Sequence, residues 1–218
     1  MRIGIIHATC NAVTPVTEIA RLYYPDVAIV NFVNEYLLDY ANKVGGVDDF
    51  GLRQFAQILS QAEEAQLDGI IIACTIYSPY AEYFQPMVRV PLIGIDRAMI
   101  EAAVDQGGKI GIIGTTAPSV PAVKLQMEEY AKEKNIALEI VTRTVTAAMA
   151  NLKQGRTEEH DRLIREAAEG LVEEGCDTIV LSQITMARVK PLLSELNVTV
   201  FTSPEEGLAR MCGLINGQ

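Results

Sequence analysis

Short aliphatic runs alternate along the chain with longer stretches in which apolar residues recur every three or four positions. Short runs are typical of buried parallel strands, whereas the three-to-four spacing is typical of helices with one buried face. In the first half, strands are predicted at residues 3–7, 27–32, 69–73 and 90–95, and helices from about Thr14, over 48–66 and over 99–104. Strands that alternate with helices predict βαβ units and a parallel sheet.

The second half repeats the first in sequence as well as in pattern. Residues 2–9 resemble 109–116 at an offset of 107 positions, and residues 68–76 resemble 177–185 at an offset of 109. Similarity in the same order, at a nearly constant offset, indicates a duplicated unit. Strands are accordingly predicted at 110–113, 137–145, 178–181 and 198–201, and helices over 120–134, 158–174 and 205–214.

The duplication predicts an α/β protein of two similar three-layer lobes, each with a parallel sheet, related by a pseudo-twofold axis. No Ser- or Gly-rich linker separates the halves, so the join is placed near residues 96–108. The last helix is expected to return to the first unit. We therefore predict an N-terminal lobe of residues 1–97 plus 205–218 and a C-terminal lobe of residues 98–204.

The composition excludes several classes of protein. The chain has 218 residues and a formal net charge of −10, which argues against a nucleic-acid partner. No apolar run approaches the roughly 18 residues of a membrane span, and polar residues follow the start too soon for a signal peptide. The four cysteines are too sparse for a disulfide scaffold. A cytoplasmic protein of enzyme size, with no membrane partner, is expected.

Parallel α/β sheets bind their ligands at the carboxyl ends of the strands, where loops lead into helices. Four such loops are rich in small polar residues, two in each half of the chain. Because the repeat relates these loops in pairs, we expect them to face one another across a cleft between the lobes, where the active site would lie. The candidate substrate-binding residues are His7, Thr9, Asn11, Thr75, Ile76, Thr115, Thr116, Ser182 and Thr185.

Cys74 and Gln183 occupy matching positions of the repeat and are the candidate catalytic residues. The Cys74 thiol suits proton transfer at a carbon next to a carboxylate, a reaction that also needs hydrogen-bond donors for the enediolate oxygens. A thiolate can carry the proton if a helix N-terminus lowers its pKa, and Ser78-Pro79 predicts a helix start one turn after Cys74. The sequence has no Gly-rich phosphate loop and no clustered metal ligands, so no cofactor and no metal are expected.

Three segments also resemble a known family. Residues 70–75, 109–115 and 175–183 are similar to the aspartate/glutamate racemase superfamily, which includes hydantoin racemases, maleate isomerase and arylmalonate decarboxylase. The resemblance spans nearly the whole chain, and it implies a two-lobed enzyme with one cysteine from each lobe and no pyridoxal phosphate or metal. Cys74 matches the first cysteine, whereas Gln183 stands where the racemases carry the second.

The resemblance implies a cofactor-independent racemase or isomerase for a small amino acid or related carboxylate, with Cys74 as the proton-transfer group. Because of Gln183, a single-cysteine decarboxylase or other lyase stays open, as does a non-catalytic carboxylate-binding protein. Cys10 is a candidate for the missing second thiol. His7 is either a substrate contact or a buried histidine, and His160 is expected on a solvated helix face. A homodimer is the expected assembly.

Overall fold

The computed structural model of the protein describes residues 1–217 and divides into two compact units. The N-terminal lobe comprises Met1–Arg97 and the segment from Pro204 onward, and the C-terminal lobe comprises Ala98–Ser203. Each lobe contains one parallel sheet of four strands. The predicted α/β class with parallel sheets is therefore confirmed.

Strands and helices alternate through both lobes. The N-terminal lobe begins with β1 (Arg2–His7), α1 (Val13–Tyr23), β2 (Ala28–Val33), α2 (Glu35–Val44), α3 (Asp49–Glu63), β3 (Gly69–Ala73), α4 (Ala81–Phe84) and β4 (Leu92–Gly94). The following elements are α5 (Arg97–Gln106), β5 (Lys109–Gly114), α6 (Ser119–Lys134), β6 (Glu139–Thr144), α7 (Thr146–Lys153), α8 (Thr157–Glu173), β7 (Thr178–Leu181), β8 (Thr199–Thr202) and α9 (Ser203–Asn216). Short 3₁₀ helices at Cys10–Ala12, Ser78–Tyr80 and Gln85–Met87, and a longer one at Ile184–Leu196, complete the chain.

The N-terminal sheet has the strand order β2-β1-β3-β4. β1 and β3 are central, and nearly all of their residues are buried, which explains the unbroken apolar runs in the sequence. On one face of the sheet, Ile6, Ile70 and Ile72 share an apolar cluster with Leu37 of α2 and Phe55 of α3. Because side chains alternate along a strand, the intervening isoleucines are buried on the opposite face.

The last helix belongs to the N-terminal lobe, as the unit division places it there. The side chains of Met211 and Ile215 in α9 lie directly against Gly69 at the start of β3. Leu208 and Met211 are fully buried. The chain thus leaves the first lobe through α5 and returns to it at its end.

The C-terminal sheet has the equivalent order β6-β5-β7-β8. Ile110 and Ile112 of β5 share an apolar cluster with side chains of α5 and α6. Ile113 of β5 and Leu181 of β7 belong to a second cluster, which includes Ile164 of α8. Helices therefore cover both faces of this sheet, as a three-layer lobe requires.

Strand pairing puts both halves of the repeat in the same register. Ile3 pairs with Gly69 in the N-terminal lobe, and Ile110 pairs with Thr178 in the C-terminal lobe. Ile110 lies 107 positions after Ile3, and Thr178 lies 109 positions after Gly69, so the two pairs are related by the offsets seen in the sequence. The duplication is therefore structural, and the same offsets relate the loops that follow the strands.

Most element boundaries differ from the sequence predictions by only one to three residues, but three segments differ in kind. Helices α2 and α7 and the 3₁₀ helix Ile184–Leu196 are not predicted by the apolar pattern. The 3₁₀ helix contains Pro191, which interrupts α-helical hydrogen bonding. Among the described residues, no helix is both long enough and apolar enough to cross a membrane.

Candidate active site

The candidate residues of the N-terminal lobe lie at the carboxyl ends of two paired strands. His7 ends β1 and pairs with Ala73, which ends β3. The residues that follow β1 and β3 therefore begin two adjacent loops at one edge of the sheet. The fold thus brings the residues that follow β1 close to those that follow β3, as expected at the carboxyl edge of a parallel sheet.

Cys74 is the first residue after β3, and it is half-buried against the apolar cluster under that loop. Burial, with a smaller contribution from the charge of Asp96, raises the pKa of its thiol to about 11. The backbone N–H groups of Tyr77 and Ile76 act in the opposite direction, because they stabilise the thiolate, but they are the weaker effect. Cys74 is therefore a neutral thiol at pH 7.

The expected lowering of the Cys74 pKa by a helix N-terminus is wrong for this structure. Pro79 does lie in a first helical turn, but that turn is the 3₁₀ helix Ser78–Tyr80, and α4 behind it has only four residues. The Ser78 hydroxyl does not cap the helix, because it donates a hydrogen bond to the Ile72 carbonyl at 3.2 Å. A helix this short has too few aligned peptide dipoles to offset the desolvation of the thiol.

Three predicted substrate contacts lie at the end of β1 and in the loop that follows it, and their environments differ. His7 is completely buried, and its Nε2 lies 2.9 Å from Asn31 Oδ1, while Nδ1 has no hydrogen-bond partner among residues 1–217. Burial lowers the pKa of His7, so the ring is neutral at pH 7. Thr9 Oγ1 accepts the backbone N–H of Asn11 at 3.4 Å, which is a capping contact, and Asn11 itself is exposed.

Cys10, the candidate second thiol, is exposed at the start of a 3₁₀ helix. Its backbone N–H donates a hydrogen bond to Glu35 Oε1 at 3.1 Å. Desolvation and the Glu35 carboxylate both raise the pKa of the Cys10 thiol. The environment of Cys10 therefore does not activate it as a nucleophile or base.

Tyr77 lies near Cys74 and was not among the residues that the sequence analysis singled out. Its ring is completely buried and stacks on Phe55, with 5.1 Å between the ring centroids. The hydroxyl has no hydrogen-bond partner among residues 1–217, and it lies at Gly51, where an added Cβ would be 3.0 Å away. Burial and then the nearby Cys74 charge raise the pKa of Tyr77 to about 12. The signal in the sequence was the position, one turn after Cys74.

In the C-terminal lobe, Gln183 is anchored to the loop after β5. The backbone N–H of Thr115 donates to Gln183 Oε1 at 2.5 Å, and the Thr115 hydroxyl donates to the same oxygen at 2.7 Å. The Ser119 hydroxyl is 3.4 Å from this oxygen but only 2.9 Å from the Thr116 carbonyl, so its single proton serves mainly the latter. Gln183 is half-buried, with an extended backbone.

This anchor changes the role expected for Thr115. Thr115 is 1% exposed, and both of its donors are used by Gln183, so it does not offer them to a substrate. Thr116, the next residue, is half-buried. Ser182 and Thr185 are both buried beside Gln183 in sequence, and Thr185 Oγ1 has no hydrogen-bond partner within residues 1–217.

Gly114 allows the anchor to form. A Cβ at this position would lie 2.5 Å from Ser119 Oγ, 2.6 Å from Val120 Cγ2 and 2.7 Å from Ser182 Oγ. Only glycine therefore lets the first turn of α6 approach the ends of β5 and β7 this closely. The loop that carries Thr115 is held next to Gln183 as a result.

His160 is not on a solvated face, contrary to expectation. It is completely buried in α8, and its Nδ1 lies 2.7 Å from Asp161 Oδ1. Arg188 Nε donates to Asp161 Oδ2 at 3.1 Å, which ties α8 to the 3₁₀ helix after β7. His160 precedes Ile164 by four residues, so it shares the buried face of α8.

The described residues contain no group of three or more His, Cys, Asp or Glu side chains placed to hold a metal ion. The chemistry available from the arrangement is a neutral thiol in one lobe and a fixed amide in the other.

Comparison with known proteins identifies relatives along most of the chain. A family model described as Asp/Glu/Hydantoin racemase matches residues 8–211. A glutamate racemase from Pseudomonas aeruginosa is 25% identical over 184 residues, which cover 80% of this chain and 63% of that protein. The chain thus spans less than two thirds of the length of this relative.

Several solved structures share the fold. An aspartate racemase from Picrophilus torridus has a TM-score of 0.75 at 16% identity, over 99% of this chain and 94% of that one. A glutamate racemase from Bacillus anthracis has a TM-score of 0.71 at 19% identity, over 99% and 81%. An allantoin racemase from Klebsiella pneumoniae has a TM-score of 0.70 at 21% identity, over 99% and 88%. At these identities the likeness shows the fold alone.

Proposed function

Because the chain belongs to the Asp/Glu/hydantoin racemase family, whose members are isomerases, we propose that it is a cofactor-independent racemase or isomerase. The reaction moves a proton at the carbon next to the carboxylate of a small amino acid or related acid. Cys74 carries that proton. The observation that supports this role is the position of Cys74 at the carboxyl end of central strand β3, with the N–H groups of Ile76 and Tyr77 on its sulfur.

The donors around the thiol fit the charge that develops in such a reaction. Loss of the α-proton places negative charge on the carboxylate oxygens, and hydrogen-bond donors that are already in place lower the energy of that state. Thr75 and Ile76 follow Cys74 directly and are half-buried, so their groups are near enough to bind substrate. In the other lobe, Thr116, Thr185 and the Gln183 amide are the corresponding donors.

A single-cysteine decarboxylase or other lyase is the second candidate, and two observations favour it. Gln183 cannot exchange a proton at neutral pH, so it cannot serve as the second base of a two-base racemase. Cys74 is protonated at rest, which suits a group that gives a proton to a carbanion after CO₂ has left. In that reaction the C–CO₂ bond breaks, its electron pair forms the enediolate, and the thiol proton moves to carbon.

The experiment that tests the proposal is proton exchange in deuterated water. A panel of α-amino acids, hydroxy acids and malonates is incubated with the wild-type protein, Cys74→Ala and Cys74→Ser, and followed by NMR for deuterium at the α-carbon and for loss of CO₂. Exchange that disappears in both variants supports Cys74 as the proton carrier. Undiminished exchange in Cys74→Ala rules out that role, and CO₂ release without exchange of the starting acid selects the lyase.

A further inference from the structure

The orientation of the Gln183 amide is determined by its neighbour. A backbone N–H can only donate, so the atom 2.5 Å from the Thr115 nitrogen must be the carbonyl oxygen and not the amide nitrogen. The Thr115 hydroxyl reinforces this choice at 2.7 Å. Gln183 Nε2 therefore points away from this anchor with its two N–H donors.

No protein group within residues 1–217 accepts a hydrogen bond from Gln183 Nε2, and the residue is half-buried. A partly buried amide that is fixed on one side and unused on the other is suited to an acceptor from outside the protein. Thr185, two residues later, adds a buried hydroxyl without a partner in the same part of the chain. The two residues thus offer donors at the carboxyl end of β7.

The internal repeat shows that the anchor is specific to this lobe. By the offset of 107, the positions that correspond to Thr115 and Ser119 are Ala8 and Ala12, and both alanines are buried. The equivalent positions of the N-terminal lobe therefore carry small apolar residues, whereas in the C-terminal lobe a hydroxyl and an N–H are aimed at the Gln183 oxygen. Positions 115, 119 and 183 all differ from their equivalents in the first lobe. The Gln183 amide and the hydroxyls beside it are therefore treated as one unit.

We infer that Gln183 and Thr185 form a subsite of the C-terminal lobe that binds a carboxylate oxygen of the substrate, with Gln183 Nε2 as the oriented donor and Thr115 as its positioning residue. This deepens the proposed function and rests on it only in assuming that these loops bind the substrate. The substrate class is an acid that presents a carboxylate to Gln183, either the one next to the reacting carbon or a second one.

A nearly isosteric substitution that replaces the amide donor by a negatively charged acceptor tests the subsite. In Gln183→Glu one carboxylate oxygen can still accept from Thr115, but the ligand-facing atom becomes an acceptor and repels a carboxylate. We propose calorimetric titration with malonate and with malonamate, in which one carboxylate is replaced by a primary amide. The wild-type protein should bind malonate about tenfold more tightly, because a charged acceptor meets an N–H donor, and Gln183→Glu should reverse the preference.

Two further variants control for net charge and for the anchor. Gln154→Glu adds the same charge at an exposed position after α7 and should keep the wild-type preference. Thr115→Val removes one of the two donors to Oε1, so it should reduce the preference without reversing it. A preference that is unchanged in Gln183→Glu would overturn the inference, as would a wild-type protein that binds neither probe or binds both equally.

The subsite and the proposed reaction can fail separately. Cys74→Ala should bind malonate with the wild-type preference, because the donors of the C-terminal lobe remain. If this binding is found but no acid on the panel exchanges its proton or loses CO₂, the subsite stands and the proposed function falls. If turnover is found but Gln183→Glu leaves the preference intact, the reaction stands and the subsite falls.

Discussion

The protonation state of Cys74 decides which step the residue can perform. Its pKa is raised to about 11 by burial, so the thiolate is a minor species at pH 7 and grows about tenfold with each pH unit. If Cys74 acts as a base, kcat/KM should rise about tenfold per pH unit between pH 7 and 10. If it acts as an acid, kcat/KM should be flat over that range and fall only as pH approaches 11.

The measurement is a pH profile of kcat/KM with the acid that reacts fastest, accompanied by the alkylation rate of Cys74 with iodoacetamide. Cys176, which is buried in the C-terminal lobe, is the comparison thiol. Both profiles should report the same high pKa for Cys74. A Cys74 alkylation rate that has already reached its plateau at pH 6 would contradict the raised pKa.

The Tyr77 hydroxyl should lower the stability of the protein. A buried hydroxyl without a partner has lost its hydration and gained no hydrogen bond in return. We expect Tyr77→Phe to raise the free energy of unfolding by about 1 kcal/mol, measured by urea denaturation. Tyr40→Phe is the matched control: its hydroxyl donates to Asp48 Oδ2 at 2.9 Å, so the same change should not stabilise. A destabilised Tyr77→Phe would show that the hydroxyl has a partner in solution.

Residues differ in how well the sequence predicts them, and His160 shows why. Its neighbours Glu158, Glu159 and Asp161 are charged, and this local composition suggests a solvated face. Its spacing from Ile164 places it on the buried face instead, and the structure confirms the spacing. The pKa of Cys74 was not predictable in this way, because desolvation depends on how the whole lobe surrounds the sulfur.

Among the structural elements, the contact between α6 and the ends of β5 and β7 depends on Gly114. We expect Gly114→Ala to lower the free energy of unfolding by about 2 kcal/mol, because the new methyl group would overlap three neighbouring atoms. Gly170→Ala, in the interior of α8 with no atom within 4 Å of the new Cβ, should instead raise it by about 0.5–1 kcal/mol. Urea midpoints of both variants test this; a Gly114→Ala protein as stable as wild type would contradict the proposed close approach.

The central strands were the most predictable elements, whereas α2, α7 and the long 3₁₀ helix were not predicted. β1, β3, β5 and β7 are buried on both faces, so their sequences are continuous apolar runs. α7 buries only Ala148 and so leaves little apolar pattern to detect, whereas α2 buries Leu37 and Ala41 at helical spacing but has only ten residues. The short α4 follows Pro79 but stops within four residues, and a capping motif alone contains no information about helix length.

At the scale of the whole molecule, the duplication allows each position in one lobe to be compared with an equivalent position in the other. The sequence repeat predicted two similar parallel sheets, and the matching registers of β1 with β3 and of β5 with β7 agree with that duplication. The expectation that Cys74 and Gln183 face each other across a cleft between the lobes stays a prediction. It can be tested because the two lobes carry different residues at three equivalent positions. These pairs are Cys74 and Gln183, Ala8 and Thr115, and Ala12 and Ser119.

We therefore expect that a working thiol can be built at position 183 of the second lobe if the residues around it are changed to those of the first lobe. Gln183→Cys alone leaves the buried N–H and hydroxyl of Thr115 without their acceptor, so it should weaken the fold and give little new activity. Adding Thr115→Ala and Ser119→Ala reproduces the alanines of the first lobe and removes both hydroxyls. The triple variant should exchange deuterium into both enantiomers of a substrate, where the wild-type protein favours one face.

Chiral chromatography with mass spectrometry of substrates recovered from deuterated water measures this outcome. Cys10→Ala in the triple variant is the control, since exchange that survives it cannot depend on that exposed thiol. Cys74→Ala in the same background should leave exchange on only one face, now the opposite one, because the two thiols act from different lobes. If the triple variant folds and exchanges the same single enantiomer as wild type, position 183 does not reach the second face of the substrate, and the predicted pairing of the two positions is wrong.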